Sequence, residues 1–393
     1  MDLAAIKGAL KERKLDGWLF YDFRGTDPLA CSILGMGDAF RSRRWFYYIP
    51  ADGEPTRIVH AIETGALDHL PGKKIVYLPW QQLHEHLKST LAGAKRIAMQ
   101  YSPKNNIPYV SRVDGGTIEL LRSFGLEIIS SADLVQQFEA VIDEAGEKTH
   151  MRAADALGEI VHAAFKRIGD RLRAGETVTE CMIQQFITDS FEARNMETDH
   201  PPIVGVNAHA ADPHFAPDPK NDTPMKKGDF VLIDLWAKEK KPGAIMADIT
   251  WTGFIGKEPP AEIVKVFNVV RDARDAAVKF VQSSLAAGKA IRGCDVDDAC
   301  RKVIADAGLG QFFIHRTGHS IHTATHGNGT NIDNLETHDD RPISPRTCFS
   351  IEPGVYLEGR FGVRTEIDVF VKDAKTAIVS GVPAQRELVL IDA

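Results

Sequence analysis

Hydrophobic residues in the first third of the chain form short runs that alternate with amphipathic stretches. Runs at residues 18–21, 45–49, 57–62, 75–78 and 96–99 have the length and composition of β-strands. Segments 81–91 and 117–124 instead repeat apolar residues at helical spacing. This alternation of strands and helices predicts an α/β domain with a mixed sheet.

The pattern changes in the later part of the chain. Apolar residues recur every three or four positions from Met151 to Ile168, which predicts one long helix that ends before Gly175. Thr177 and Glu180 have the spacing of a capping box for the next helix.

Longer elements follow toward the end of the sequence. Helices are predicted at 260–285 and 295–307, and strands at 230–236, 246–254, 348–352 and 362–370. With 393 residues the chain is also long for one compact core. We therefore expect two domains, residues 1–142 and 143–393.

Composition and charge exclude some functions. Hydrophobic residues make up 44% and charged residues 26%, as in a globular protein in water. The net charge of -7, from 47 Lys+Arg and 54 Asp+Glu, argues against a general nucleic-acid binder. We find no signal-peptide pattern and no run of membrane-spanning length. The five cysteines match neither a disulfide framework nor a zinc knuckle, so we expect reduced thiols and a cytoplasmic protein.

Four acidic residues lie in or beside runs apolar enough to be buried strands: Asp234, Asp248, Glu352 and Glu366. A buried carboxylate is costly unless it is paired or bound to a metal. For any one of them, a place on the solvent side of an edge strand or pairing with an Arg explains the position equally well. Four together favour a site for two divalent ions, because carboxylates with an imidazole suit Mn, Zn, Co or Fe.

Residues 313–326 supply the imidazoles, with histidines at His315, His319, His322 and His326. Gly318 permits a close turn of the backbone beneath a site. One isolated His is more often a hydrogen-bonded structural residue than a ligand, so the loop alone does not select among them. The sequence contains no His-Glu-x-x-His zinc motif, Gly-x-Ser-x-Gly nucleophile elbow or phosphate-binding loop.

Together these motifs resemble the pita-bread metallopeptidases, which include methionine aminopeptidase, aminopeptidase P, prolidase and the metal-free creatinase. The resemblance runs from about Glu147 onward, and the preceding α/β segment is similar to the N-terminal domain of creatinase and prolidase. It implies an α+β chain, in which a creatinase-type α/β domain precedes a pita-bread domain with a curved antiparallel sheet. It also implies a homodimer, with the N-terminal domain serving dimerisation and active-site access.

The metal ligands of this family are two aspartates, a histidine and two glutamates, in that order. The matching positions here are Asp234, Asp248, His319, Glu352 and Glu366. Among these, Asp248 and Glu366 match the bridging carboxylates. The implied cofactor is two divalent metal ions per chain: Mn, Zn or Co.

The resemblance also assigns roles outside the ligand set. His214 and His326 match histidines that contact the substrate near the scissile carbonyl, and a structural His is the less favoured alternative for each. His322 stands where the family usually has Gly and is assigned to the pocket lining. Arg364 is assigned either to the carboxylate of the substrate proline or to the support of Glu366. His200, His209 and His315 receive no role.

The surroundings of Asp248 depart from the family pattern. The two aspartates are fourteen residues apart, which is longer than usual, and segment 238–243 has the character of an insertion in the connecting hairpin. Trp251 stands where the family commonly has Arg, and no Tyr precedes Asp248. We expect these changes to remove support from the bridging carboxylate and to affect rate and subgroup.

The implied reaction is hydrolysis of Xaa-Pro bonds in short proline-containing peptides, by an Xaa-Pro dipeptidase (prolidase). Glu352 would act as general base, and His214 and His326 would stabilise the oxyanion. Three alternatives remain: an aminopeptidase P that acts on longer peptides, a metal-free creatinase-like hydrolase, and a non-catalytic binding protein with the same fold.

Overall fold

The computed structural model describes residues 1–37 and 41–393. It divides into two compact units, Met1–Glu139 and Ala140–Ala393. Within these described ranges, no helix combines the length and the apolar character needed to cross a membrane.

The first unit is built on a mixed sheet with helices on both faces. Its strands are β1 (Gly17–Asp22), β2 (Trp45–Pro50), β3 (Thr56–His60), β4 (Lys73–Tyr77), β5 (Arg96–Met99) and β6 (Glu127–Ser130). Its helices are α1 (Leu3–Glu12), α2 (Pro28–Ile33), α3 (Trp80–Thr90), α4 (Gly115–Ser123) and α5 (Ala132–Glu139). The strand order is β4-β3-β2-β1-β5-β6, with β1 antiparallel to β2 and parallel to β5.

Strand β1 lies in the middle of this sheet, and all six of its residues are buried. Trp18 and Phe20 pack with α1, α2 and α5 on one face. Leu19 and Tyr21 pack with α3 and α4 on the other. A strand covered on both faces becomes a continuous apolar run, which is the pattern that segment 18–21 displays.

The second unit contains the longer elements. Its helices are α6 (Glu144–Arg173), α7 (Glu180–Ala193), α8 (Ala261–Ala286) and α9 (Gly293–Asp306). Its strands are β7 (Met196–Glu197), β8 (Ile203–Val206), β9 (Phe230–Glu239), β10 (Ala247–Ile255), β11 (Ser320–Ile321), β12 (Cys348–Ile351), β13 (Gly354–Leu357), β14 (Phe361–Arg364), β15 (Ile367–Asp373), β16 (Thr376–Val379) and β17 (Val389–Ile391).

These strands form three sheets. One has the order β17-β10-β9-β7, with β8 also paired to β9, a second has the order β11-β12-β15-β16, and β13 pairs with β14. Helices α6 and α7 pack in one apolar core and α8 and α9 in another. The sheets therefore lie between two helical layers.

Side-chain alternation in the central hairpin separates apolar from acidic positions. Ile233 and Ile249 belong to the core that contains α6. Successive strand residues point to opposite faces, so Asp234 and Asp248 are directed away from that helix. The hairpin thus presents its carboxylates toward the second sheet.

Two expectations about elements are wrong. Segment 362–370 is two strands rather than one, because β14 pairs with β13 and β15 pairs with β12, and Glu366 lies between them. The cap of α7 is not a box of Thr177 and Glu180. Thr179 is the N-cap, and its hydroxyl accepts a hydrogen bond from the Met182 N–H.

Candidate metal centre

Two neighbouring strands carry the predicted aspartates. In the antiparallel pair of β9 and β10, Thr250 is opposite Asp234, and Asp248 has the same side-chain parity as Thr250. All three side chains therefore share one face. Asp234 is 8% and Asp248 4% exposed, so the sheet holds two carboxylates away from bulk water.

The other three predicted ligands come from the second sheet. His319 directly precedes β11, Glu352 directly follows β12, and Glu366 directly precedes β15. A 3.1 Å hydrogen bond from the Glu366 N–H to the Thr250 carbonyl joins this sheet to the hairpin. Three strand ends thus place ligands beside the hairpin that carries the two aspartates.

Distances between side-chain atoms show how closely the predicted ligands approach one another. Asp248, His319 and Glu366 each offer a ligand atom within 4.8 Å of the others. His319 Nε2 lies 3.7 Å from Asp248 Oδ2 and 3.4 Å from Glu352 Oε1. Asp234 is connected through Arg364, whose Nη2 lies 2.5 Å from Asp234 Oδ2. The five predicted residues therefore lie in one buried region.

The pKa shifts of the clustered carboxylates indicate that the centre favours a bound positive charge. Burial, together with the neighbouring carboxylates, raises the pKa of Asp248 and of Glu366 well above the ordinary values. Burial likewise raises the pKa of Asp234, and Arg364 opposes this shift. A bound cation would offset the repulsion among these groups.

Unsatisfied oxygens test whether a metal fits. Asp234 Oδ1, Asp248 Oδ1 and Glu366 Oε1 are buried and have no hydrogen-bond partner among the described residues. Buried polar atoms without a partner are rare, because each costs about 1–3 kcal/mol. Carboxylate oxygens and one imidazole are ligands that divalent ions accept, so the residues present fit a metal.

His319 is held in the form that a metal ligand needs. Burial, reinforced by the charge of Arg316, lowers its pKa to about 3, which keeps the imidazole neutral at ordinary pH. Nδ1 lies 3.2 Å from the Ser320 carbonyl, to which it donates. Nε2 therefore keeps its lone pair, directed at Asp248 and Glu352.

Hydroxyl groups fix the two glutamates. The Ser350 hydroxyl donates to Glu352 Oε1 at 3.1 Å and accepts from the His319 N–H at 3.0 Å. The Thr250 hydroxyl donates to Glu366 Oε2 at 2.7 Å. Each glutamate thus has one oxygen oriented by the protein.

Arg364 is 3% exposed, and each of its nitrogens has a protein partner. Nη2 donates to Asp234, Nη1 to the Tyr356 hydroxyl at 2.9 Å, and Nε to the Thr250 hydroxyl at 3.2 Å. Its link to Glu366 runs through Thr250. Both predicted roles of Arg364 remain predictions, and these contacts favour the supporting one.

The remaining predicted histidines differ in their distance from the cluster. The His326 ring lies 4.3 Å from the His319 ring at an interplanar angle of 84°. His214 is exposed on a loop, where its N–H donates to Asp212. Among the described residues, no hydrogen bond or ring contact joins His214 or His322 to the five predicted ligands.

Several supporting residues were missed in the sequence. Asp368, Thr250, Ser350 and Tyr356 received no role, yet each orients a ligand or its support. Asp368 accepts a 2.8 Å hydrogen bond from the Asp248 N–H. The sequence contained a signal for two of them, because Asp368 and Thr250 lie two positions from predicted ligands and so share a strand face with them. The contacts of Ser350 and Tyr356 left no comparable pattern.

Trp251 does not face the centre. Its ring packs 4.6 Å from His162 at 74°, within the core beside α6. Alternation along β10 puts position 251 on the face opposite Asp248. Position 251 therefore faces away from the carboxylates in this chain, and the loss of support for Asp248 expected from the sequence stays a prediction.

Comparisons with known proteins agree with this geometry. The model of metallopeptidase family M24 matches residues 150–373. The chain is 30% identical to the probable dipeptidase PepE of Mycobacterium tuberculosis over 365 residues, which are 92% of this chain and 89% of that protein. It is 31% identical to the Xaa-Pro dipeptidase of Lactobacillus delbrueckii subsp. lactis over 217 residues, 55% of this chain and 54% of the relative.

The fold has solved counterparts. The crystal structure of dipeptidase PepE from Mycobacterium ulcerans superposes with a TM-score of 0.68 at 24% identity, covering 99% of this chain and 96% of that one. This likeness confirms the predicted fold class, an α+β chain with a pita-bread unit. The family match covers the segment that carries all five carboxylate and histidine positions of the buried cluster. This chain therefore belongs to metallopeptidase family M24.

Proposed function

We propose that this chain is an Xaa-Pro dipeptidase that uses two divalent metal ions, Mn, Zn or Co, held by Asp234, Asp248, His319, Glu352 and Glu366. The observation that carries the proposal is the buried convergence of Asp248, His319 and Glu366, with Glu352 in contact with His319. Asp248 and Glu366 are the proposed bridging carboxylates, since burial and repulsion from neighbouring carboxylates raise both their pKa values well above the ordinary values.

Two divalent ions held by these residues would lower the pKa of a bound water and polarise the scissile carbonyl. Glu352 is the carboxylate suited to take the proton from that water. Its side chain is 16% exposed, compared with 5% for Asp248, so it lies nearest to where substrate would enter. Ser350 orients one of its oxygens, and the other remains available for the proton.

His214 and His326 are proposed to donate hydrogen bonds to the developing oxyanion. Protonation beside the neighbouring His319 ring is unfavourable, and this interaction together with burial lowers the pKa of His326 to about 4, so its ring is neutral at ordinary pH. A neutral imidazole donates one N–H without carrying a charge into the site. His322 is proposed to line the pocket near the chain entering α6, since its neighbours include Val141 and Asp143.

Arg364 is proposed primarily to hold Asp234 in place. Its contacts with Thr250, Tyr356 and Asp234 use one hydrogen on each nitrogen, which leaves one N–H on each terminal nitrogen for a substrate carboxylate. Binding the carboxylate of a product proline would therefore be a second use of the same side chain. A dipeptide, unlike a longer peptide, carries that carboxylate on the proline itself.

The choice of substrate rests on relatives. Proteins named probable dipeptidase PepE and Xaa-Pro dipeptidase are 30% and 31% identical to this chain over the matched residues. Proline has no N–H, so its peptide bond requires a dedicated site. We further propose a cytoplasmic homodimer in which the N-terminal domain, predicted from the sequence at residues 1–142, serves dimerisation and active-site access.

The test is hydrolysis by purified protein loaded separately with Mn, Zn or Co. We expect cleavage of Gly-Pro and Ala-Pro, little cleavage of Gly-Ala, and loss of activity with a chelator. Bound metal should be about two ions per chain. Cleavage of Xaa-Pro-Yaa peptides without cleavage of Xaa-Pro would assign the aminopeptidase alternative.

Other outcomes would refute the proposal. Activity that persists after metal removal would indicate creatinase-like chemistry. Absence of both bound metal and hydrolysis would indicate a binding protein. The variant Asp248→Asn provides an internal check, because loss of metal from this variant alone would localise the ions to the proposed centre.

A further inference from the structure

A cavity of about 620 Å³ lies within the first unit, at the end of the sheet where β1 finishes. Its lining includes Tyr21 and Phe23 at the end of β1, Arg44 just before β2, and residues 111–114. The volume falls among those of small-molecule sites, roughly 300–1,000 Å³. The proposed peptidase chemistry makes no use of this cavity.

The location follows from the order of the strands. After β1 the chain continues to β2 on one side of it, whereas β5, the parallel neighbour on the other side, comes later in the sequence. The sheet order therefore reverses at the β1–β5 pair. In open α/β sheets, ligands bind in the crevice outside the carboxyl ends of strands at such a reversal.

The lining residues match that crevice. Tyr21 stands at the carboxyl end of β1, and residues 111–117 follow the carboxyl end of β5. Trp45 pairs with Asp22, which puts the adjacent Arg44 at the same edge of the sheet. Topology and cavity thus indicate the same place independently.

Two arginines in the lining have no carboxylate partner among the residues that the structure describes. Arg44 lies beside the neutral hydroxyl of Tyr77. Arg112 donates through Nε to the Tyr109 carbonyl at 3.1 Å, which leaves its terminal nitrogens for other partners. Neither arginine is within 4.0 Å of a carboxylate oxygen in the described part of the chain.

The acidic residue in the lining offsets only part of their positive charge. Asp114 caps α4, accepting from the Thr117 N–H at 2.9 Å and from the Thr117 hydroxyl at 2.7 Å. Both of its oxygens are therefore engaged. The cavity keeps an excess of positive charge beside Tyr21, Phe23, Val113 and Leu120, which supply an apolar surface.

We propose that this cavity binds a small organic anion, a carboxylate or a phosphate ester with an apolar body, with Arg44 and Arg112 contacting the anionic oxygens. Arginine suits both ligand classes, because its planar fork forms two parallel hydrogen bonds with carboxylate or phosphate. The apolar surface would cover the rest of the ligand. The site is separate from the metal centre and does not depend on the proposed reaction.

The experiment is isothermal titration of the full, metal-loaded chain with benzoate, phenyl phosphate and the neutral benzamide. We expect at least one anion to bind with a Kd of millimolar or tighter, and benzamide to bind at least tenfold more weakly. Arg44→Gln and Arg112→Gln should each raise that Kd at least tenfold. Preference for phenyl phosphate or for benzoate would assign the ligand class.

Lys88→Gln is the matched control, because Lys88 is exposed on α3 outside the cavity and its loss removes the same charge. Arg44→Lys keeps the charge and should retain part of the affinity, which separates anion contact from misfolding. The proposal fails if no anion binds at 50 mM, or if benzamide equals benzoate. It also fails if both arginine variants bind like the wild type, since binding would then belong to the metal centre.

Discussion

Arg364 Nη2 lies 2.5 Å from Asp234 Oδ2 in an ion pair whose side chains are only 3% and 11% exposed. Removing one partner of a buried pair leaves an uncompensated charge, which typically costs about 3–5 kcal/mol. We expect Arg364→Met to lower the free energy of unfolding by about 3 kcal/mol and to weaken metal binding. Urea unfolding of the metal-free protein and calorimetric metal titration measure the two effects.

The pair of Arg360 with Glu262 offers a matched control on the surface, with side chains 55% and 51% exposed. Exposed pairs contribute about 0–1 kcal/mol. Arg360→Met should therefore change the unfolding midpoint little. Equal effects of the two substitutions would contradict the importance that we give to the buried pair.

Glu352→Gln tests the proposed base. Glutamine keeps the shape and can still accept the hydrogen bond from Ser350, but it cannot take a proton. We expect kcat to fall about 10²- to 10⁴-fold with a much smaller change in KM. Steady-state kinetics on Gly-Pro at several pH values measure this. Glu358→Gln, an exposed neighbour, is the control, and comparable losses in both variants would remove Glu352 from the base role.

His209 is expected to position the loop that carries His214. The carboxylate of buried Glu180 accepts from His209 Nδ1 at 2.9 Å and from the Val206 N–H at 2.7 Å. The His209 ring stacks on Phe215, the residue after His214, at 4.2 Å. Leucine at position 209 would lose the hydrogen bond, so we expect His209→Leu to lower kcat/KM about tenfold.

A double-mutant cycle separates this role from a general loss of stability. If His209 acts through His214, His209→Leu should cost nothing further in a His214→Ala background. His209→Asn keeps an N–H donor near the position of Nδ1 and should recover most of the activity. Additive losses in the cycle would show that His209 does not act through His214. Hydrogen exchange of residues 207–223 reports loosening of the loop even without a substrate.

His150 should make the second unit sensitive to acid. It is fully buried, with Nδ1 2.7 Å from the Met246 carbonyl and Nε2 2.8 Å from the Ser380 hydroxyl. Burial lowers its pKa to about 4 from 6.5. Between these values the unfolded state binds more protons, so stability falls as pH drops, by up to about 1.4 kcal/mol per pH unit.

Hydrogen exchange of the second unit as a function of pH measures this dependence. His150→Gln should be less stable at pH 7, yet its stability should depend much less on pH between pH 6.5 and 4. The control is His200→Gln, because the His200 side chain is 78% exposed. An unchanged slope in His150→Gln would assign the acid sensitivity to other groups.

Asp27 should make the first unit less stable as pH rises, the opposite of the effect of His150 on the second unit. Burial raises its pKa to about 7 from 3.8, with a further contribution from Asp22. Between these two pKa values the folded state binds more protons than the unfolded state. The contribution of Asp27 to folding stability is therefore complete below pH 3.8 and is lost as pH rises through 7. Asp27→Asn removes the charge and keeps an acceptor for the Ala30 N–H.

We therefore expect Asp27→Asn to stabilise the first unit above pH 7. The gain should be at most about 1.4 kcal/mol for each unit of the Asp27 pKa shift that the substitution removes. Thermal unfolding at pH 5 and pH 8, followed by exchange in residues 17–60, measures this. Asp52→Asn, at an exposed position, is the control. A variant less stable than the wild type at pH 8 would mean that the charged carboxylate helps folding.

Local pattern was enough to locate most elements and the acidic cluster. Asp234 stands out because a charged residue interrupts an apolar strand run, and strand period fixes which neighbours share its face. The long helix from Glu144 was visible through its repeat of three and four. The α+β class and the order of the five carboxylate and histidine positions follow from such local features together with the family resemblance.

Contacts between side chains that are distant in sequence could not be predicted from local patterns. The contact of Arg364 with Asp234 spans 130 positions, and the support of Asp248 by Asp368 spans 120. The division of segment 362–370 into β14 and β15, and the burial of Trp251 against α6, depend on which strands and helices come together. A sequence records the periodicity of each segment, whereas register and packing arise from the competition of all segments for shared contacts.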